Sequence, residues 1–456
     1  MIQKWVLGNG THILVDSVGT TDTVCIGFWF KFGSRDERSR TGAPDTRVVI
    51  DRSTPGRFAP KDPSLPAHNN YSERGFTHFL EHMLFKGTER RSAFQIAKEI
   101  DRVGGFLNAF TEREATCFYA TLPYEHLPLA IDVLSDMVFY SILDSGEIEK
   151  EKSVIINEVL SLLDSPEELA HESYLSGLWG AHPLAWRITG DVEDVREITR
   201  HNLERFYAER FVPSNLIVSV AGRFDPKKVY DLIAGTVDHK GQGQLGQEFR
   251  CERVAPTKRF TWKHKRDRFK QVQIYTGTDL PIKRGEHRPL YDALVFSNAV
   301  GESMSSRLFQ EIRETKALCY SISSYRTLYT DISLWTIYSN TAPETVSRLL
   351  EALNGELRRL LVEPLTEGEV ADAKNHLKGT LILAKEDMEV RMKRLFRLHS
   401  LVYEIIEYDE SIKLIDEVTR RRILRITDQL LRGSQFNLVA YGGKRIKNFG
   451  GLRFEF

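Results

Sequence analysis

Apolar runs of strand length and longer stretches of helical character divide the chain into recognisable elements. Val24 to Phe32 is a dense apolar and aromatic run and reads as a buried strand. Further strands are expected near Phe106–Thr111 and Thr116–Leu122, and Asn215-Leu216-Ile217-Val218-Ser219-Val220-Ala221-Gly222 reads as a buried strand ending in a turn. A helix is expected to start at Ser72, as N-cap with Glu73 in the first turn, and to stop at Gly87. A second runs from Ala93 to Val103, capped by Ser92 and ended by Gly104-Gly105. Helices then occupy Tyr124–Tyr140 and a long span beginning near Gly146.

The strand beginning at Asn215 recurs as Asn437-Leu438-Val439-Ala440-Tyr441-Gly442-Gly443, 222 positions later and close to half the chain length. Between the copies lies Lys240-Gly241-Gln242-Gly243-Gln244-Leu245-Gly246-Gln247, whose composition is that of a linker. The reading is an internal duplication of two α+β halves, 1–235 and 257–456, joined by a linker at 236–256. From about Glu37 to Tyr71 the character changes: Pro44, Pro55, Pro60, Pro63 and Pro66 fall among Arg, Asp, Ser and Asn, which favours an irregular segment.

At 456 residues the chain exceeds one ordinary domain, and 41% hydrophobic with 28% charged residues describes a globular protein with ample core. A formal net charge of zero gives no reason to expect nucleic acid or an anionic membrane as partner. No apolar run approaches the ~20 residues of a membrane span, and Met1–Gly10 shows no apolar signal core or Arg/Ser-rich transit helix. Cys25, Cys117, Cys251 and Cys319 lack Cys-x-x-Cys spacing, so cysteine-based metal binding is not supported and a cytoplasmic protein with reduced thiols is expected.

The chemistry concentrates in His78-Phe79-Leu80-Glu81-His82. On a helix the two imidazoles, at i and i+4, lie on one face and reach one metal ion. Zinc takes imidazole nitrogen readily, and a catalytic zinc has three protein ligands and an open position for water. Glu81, three residues after His78, is placed to take a proton from that water. The third ligand has several candidates on the long helix: Glu147, Glu149, Glu151 and Glu158. Glu158 sits among apolar residues, where an unpaired carboxylate is costly to bury. Glu151 lies two turns earlier on the same face, ~10 Å along the axis, so the two cannot both be close ligands of one ion.

Gly75-Phe76-Thr77-His78-Phe79-Leu80-Glu81-His82-Met83-Leu84-Phe85-Lys86-Gly87-Thr88 resembles the signature of the pitrilysin/insulysin-type inverted zincins. The 76-residue spacing from His82 to Glu158 matches that family's third ligand. By this resemblance His78, His82 and Glu158 bind one Zn²⁺ per chain, Glu81 is the general base, and Glu151, seven positions before the ligand glutamate, supports the site from behind. Gly104–Thr111 resembles the family's strand beside the metal, to which an extended substrate adds by main-chain hydrogen bonds; Asn108 and Ala109 are then candidate substrate contacts. Ser306–Ser321 resembles the family's Arg/Tyr segment, in which Arg313 holds substrate and Tyr320 donates toward the developing oxyanion. Ala317 and Cys319 depart there from the usual glycine or alanine, and Cys319 adds bulk next to Tyr320.

The chain length fits the short subfamily that includes mitochondrial processing peptidase. The resemblance implies two homologous halves, each a mainly antiparallel sheet packed with helices, forming half of a clam-shell chamber. It further implies a zinc endopeptidase acting on peptides or small unfolded proteins. Because one chain carries both the zinc set and the Arg/Tyr pair, a homodimer is the simpler expectation, with a heterodimer of related chains as the variant. The rival reading is a non-catalytic peptide-binding or scaffold subunit. The Pro-rich segment at 37–71 departs from the family's direct passage out of Gly33-Ser34-Arg35-Asp36-Glu37 into the zinc helix. It is expected to be a surface insertion, or a flap that gates access.

Overall fold

The computed structural model describes residues 2–38, 71–237, 260–264, 269–432 and 436–443. The Pro-rich segment, the Gly/Gln linker and Cys251 thus lie almost wholly or entirely outside the described residues. Among those residues the chain forms two units, one drawn from Met1–Ser161, Trp186–Glu252 and Asp387–Phe396, the other from Leu162–Ala185, Arg253–Glu386 and Arg397–Phe456.

The first unit holds six strands: β1 (Ile2–Val6), β2 (His12–Ser17), β3 (Thr23–Phe30), β4 (Phe106–Thr111), β5 (Thr116–Pro123) and β6 (Leu216–Gly222). Their order is β1-β2-β6-β3-β5-β4; β2 and β6 run parallel and every other neighbouring pair is antiparallel. The second unit holds β7 (Thr261–His264), β8 (Val272–Asp279), β9 (Ser321–Leu328), β10 (Ser333–Thr341) and β11 (Asn437–Gly442), in the order β7-β11-β8-β10-β9. Here β7 and β11 are the parallel pair. Position for position this is the order β2-β6-β3-β5-β4. The recurrence read from Asn215 and Asn437 is therefore a recurrence of whole sheets, each α+β and mainly antiparallel.

The alternation of side chains along β3 explains why that run is apolar throughout. Val24, Ile26, Phe28 and Phe30 enter a core shared with Phe79, Leu80, Met83, Leu134, Ile155 and Val159. Cys25, Gly27 and Trp29 face the other way, and that face too is covered. The cover is Asp387–Phe396, in which Phe396 stacks on Trp29 with ring centroids 4.0 Å apart and planes 4° from parallel. Gly27 leaves room for this approach, since a Cβ there would lie 2.5 Å from the Met392 sulfur and make it shift. In the second unit Ala170, Tyr174, Leu175 and Leu178 of the helix Pro166–Trp179 play the same part, packing on Tyr275, Tyr338, Val439 and Tyr441. A sheet that is apolar on both faces needs two covering layers. Each sheet takes one of them from the far part of the sequence, so a single cut at 236–256 leaves both segments with the half whose sheet they do not cover.

The helix boundaries are close to the expected ones, with one difference that matters. The helix carrying the histidines runs Phe76–Met83, with Gly75 at its N-cap position, not Ser72. The Ser72 hydroxyl instead accepts a bond from the Arg74 N–H at 3.3 Å, forming a turn ahead of the helix. The second helix, Ala93–Asp101, has the expected Ser92 cap, reinforced by Gln95 into a capping box. No helix among the described residues is long and apolar enough to cross a membrane.

Truncating Phe396 to alanine removes a stacked ring from a buried face and is expected to destabilise the first unit by about 3–5 kcal/mol. Denaturant unfolding measures this, and a loss below ~1 kcal/mol would mean that Asp387–Phe396 is not an integral layer of that unit.

Candidate metal centre

Three elements of the first unit converge on one point: the helix Phe76–Met83, the long helix Ser145–Asp164 and the edge strand β4. The first helix is anchored by its apolar side, on which Phe76, Phe79, Leu80 and Met83 are buried. The opposite side then presents His78 and His82, whose ring centroids are 4.8 Å apart. The long helix buries Ile148, Glu151, Ile155 and Val159, at helical spacing, and this register aims Glu158 toward the two rings.

One ligand atom from each of His78, His82 and Glu158 lies within 4.8 Å of the others. The Nε2 atoms of both histidines are 3.8 Å from Glu158 Oε2. That is too long for a hydrogen bond. It is close to the ~3.4 Å edge of a tetrahedron with ligands ~2.0–2.1 Å from a central Zn²⁺. Burial, and then the neighbouring His82, lower the His78 imidazole to about 4, so it is neutral at physiological pH, the form a metal needs. His78 Nδ1 is buried and has no hydrogen-bond partner among the described residues.

Glu151 contacts the far side of this set. It is 4% exposed, and its Oε2 lies 3.0 Å from His82 Nδ1 while its other oxygen pairs with Lys86. Burial alone would raise the Glu151 carboxyl, but the bonds from Lys86 and His82 outweigh it and hold it below the ordinary value. An ionised carboxylate at Nδ1 selects the tautomer of His82 that leaves Nε2 free to bind. Glu81 is raised, chiefly by burial, and its Oε2 accepts a bond from the Thr111 hydroxyl at 2.5 Å. Raised above the ordinary carboxylate range, the Glu81 carboxyl is a stronger proton acceptor than a solvated one.

The structure thus brings together His78, His82, Glu158, Glu81 and Glu151. Glu158 is less enclosed than its apolar sequence neighbours suggest: its side chain is 44% exposed. Asn108 and Ala109 lie on β4, the outermost strand, whose far edge is unpaired with any other described strand. Asn108 Oδ1 accepts the Ala109 N–H at 2.8 Å. Arg313 and Tyr320 belong to the second unit, where the Arg313 guanidinium carbon is 4.5 Å from the Phe309 ring centroid and 5.9 Å from that of Tyr320. Tyr320 is 76% exposed. Between them Ala317 adopts φ +49°, a left-handed conformation in which its Cβ is strained.

Two contributors escape the sequence reading. Thr111 ends the β4 segment and carries no motif of its own, although its place on the strand beside the metal is a signal. Lys86 lies in the bend just past the helix end at Met83, where no helical spacing places it, and pairs with Glu151.

The sheets and this site define a two-unit α+β protein with an inverted His-x-x-Glu-His metal centre. Family models agree: the insulinase (peptidase family M16) model matches residues 67–192, and the peptidase M16 inactive domain model matches residues 197–377. The chain is 32% identical over 434 residues to the uncharacterized zinc protease YmxG of Bacillus subtilis, covering 94% of this chain and 96% of that one. It is 31% identical to the uncharacterized zinc protease ML0855 of Mycobacterium leprae, covering 94% and 89%. A protease structure from Helicobacter pylori superposes with a TM-score of 0.82 at 18% identity, covering 96% of this chain and 99% of that one. A peptidase M16 inactive domain structure from Pseudomonas fluorescens superposes with a TM-score of 0.80 at 16% identity, covering 98% and 99%. The chain belongs to the insulinase family, peptidase family M16.

Two outcomes are expected. Glu151→Gln lowers affinity for zinc by about 10–100-fold, read by competition with a chromogenic chelator; unchanged affinity would remove Glu151 from the site. Ala317→Gly relieves the left-handed strain and raises stability by about 0.5–1 kcal/mol in denaturant unfolding; a loss would show that the turn is not strained.

Proposed function

We propose that this chain is a zinc-dependent endopeptidase that cleaves peptides or small unfolded proteins held extended along β4. The observation that carries the reading is the convergence of His78, His82 and Glu158 on one point with Glu81 beside them. The set fits zinc: two imidazole nitrogens and one carboxylate oxygen, at the spacing of coordination edges, with a protein carboxylate behind one imidazole. When bound there, zinc supplies Lewis acidity, polarising a carbonyl and making water more acidic.

The remaining work falls to the chain. Glu81 takes the proton of the attacking water and delivers it to the leaving amine. Thr111 holds one oxygen of Glu81, which leaves the other to meet the water. An incoming strand finds its hydrogen-bonding partners on the open edge of β4, where Asn108 now engages the Ala109 amide and would yield it. Arg313 is assigned to the substrate and Tyr320 to the oxyanion that develops as the peptide carbonyl is attacked. A homodimer is the proposed assembly, since one chain carries both residue sets.

The test is cleavage of a quenched peptide of about twenty residues, with and without chelator, beside Glu81→Gln. Turnover is expected to fall by about 10²–10⁴ in the variant, with one equivalent of zinc retained. Activity close to wild type in Glu81→Gln would refute its role as base. Peptide binding without cleavage by zinc-loaded wild type would favour the non-catalytic subunit.

A further inference from the structure

The helix that carries the histidines has a defect at its start. Gly75, in the N-cap position, has φ +83° and no side chain with which to satisfy the first amides. Nor can a capping residue be placed there, because a Cβ on Gly75 would lie 2.5 Å from the Thr189 carbonyl oxygen. The helix has eight residues, well short of the ~12–15 at which an isolated helix becomes even marginally stable. Its first turn must therefore be fixed from outside.

Glu37 does this from 38 residues earlier in the sequence. It follows the turn Ser34–Asp36 and is 1% exposed. Its Oε2 accepts the Gly75 N–H at 2.9 Å and its Oε1 accepts the Thr77 N–H at 2.8 Å. Thr77 directly precedes His78, so the amide held by Glu37 opens the turn on which that ligand stands. The base of this bridge is itself tied down. Glu73 N–H donates to the Arg38 carbonyl at 2.8 Å, Arg38 N–H donates to Glu73 Oε2 at 3.1 Å, and the buried Arg210 donates to the Asp36 carbonyl at 3.0 Å. Burial pushes the Glu37 carboxyl up to about 8, against the pull of the two amides. Protonated or not it remains an acceptor. Glutamine is a poor substitute because its amide hydrogens would face one of the two N–H groups.

We propose that Glu37 is a positioning residue of the metal centre: by holding the Gly75 and Thr77 amides it sets the rotation and pitch of the short helix at which His78 and His82 meet Glu158. No assigned ligand or base includes it, and it touches neither metal position nor substrate strand. The proposal rests on the metal-site reading above.

The experiment compares wild type, Glu37→Gln, Glu37→Asp and Phe396→Ala, the last a stability control in the same unit. Zinc affinity is read by chelator competition and ligand geometry by the visible absorption of the Co²⁺-substituted proteins. Glu37→Gln is expected to bind zinc about tenfold or more weakly and to shift the Co²⁺ bands, with Glu37→Asp, which keeps both acceptors one methylene shorter, falling between. Phe396→Ala is expected to be less stable yet unchanged in both readouts. Wild-type affinity and bands in Glu37→Gln would overturn the proposal. So would an equal loss in Phe396→Ala, or failure of both Glu37 variants to fold, either of which makes the effect one of stability alone. Failure of wild type to bind one Co²⁺ or Zn²⁺ would instead overturn the metal-site reading.

Discussion

A two-turn helix cannot hold two imidazoles and a carboxylate in a fixed relation by its own hydrogen bonds. That constraint organises everything around Phe76–Met83. The apolar side is seated in the core through Phe76, Phe79, Leu80 and Met83. The N-terminal amides are held by Glu37, the His82 ring by Glu151 and the Glu81 carboxyl by Thr111, each from a different element. Four separate parts of the unit thus agree on one orientation, and each polar contact is made to a carboxyl group that is at least partly buried.

The duplication gives an internal comparison. In the first unit the edge strand turns Thr111 toward Glu81 on the site helix. In the second, the edge strand β9 turns Ser324 and Arg326 toward Ser297 and Glu302, on the helical segment that follows β8. Where one unit assembles imidazoles and carboxylates that need a cation, the other supplies a guanidinium of its own. Among the described residues, the group suited to a metal is found in the first unit. Similar sheets thus support different polar fillings, and function follows the filling rather than the sheet order.

Much of this was legible in the sequence because the signals are local. The strand at Val24, the Ser92 capping box and the paired Asn215 and Asn437 strands are written in consecutive residues, and so is the i, i+4 spacing of His78 and His82. What was not legible is non-local. The true start of the histidine helix was missed because Ser72 is a good cap by type, whereas the actual cap is a carboxylate 38 residues away with no local signature. The covering role of Asp387–Phe396 was missed for a related reason: an amphipathic segment declares that it will be buried but not against which sheet. Glu158 stands among apolar sequence neighbours, yet its side chain is 44% exposed: the pattern gives the face it shares with the buried Glu151 seven positions earlier, but not how far along the helix the cover extends.

That last difference has a physical consequence for how the site is assembled. His82 is fixed by Glu151, and His78 is 9% exposed, so moving either ring would break a charged hydrogen bond or open the core. Glu158 is half-exposed on the solvent side of a well-packed helix, and its flexible side chain adjusts at little cost. In the proposed metal site the exposed carboxylate would be the adaptable member and the two imidazoles the preset ones. That division, two restrained nitrogens and one adaptable oxygen, would let a cation be accommodated without disturbing the helix that carries the histidines.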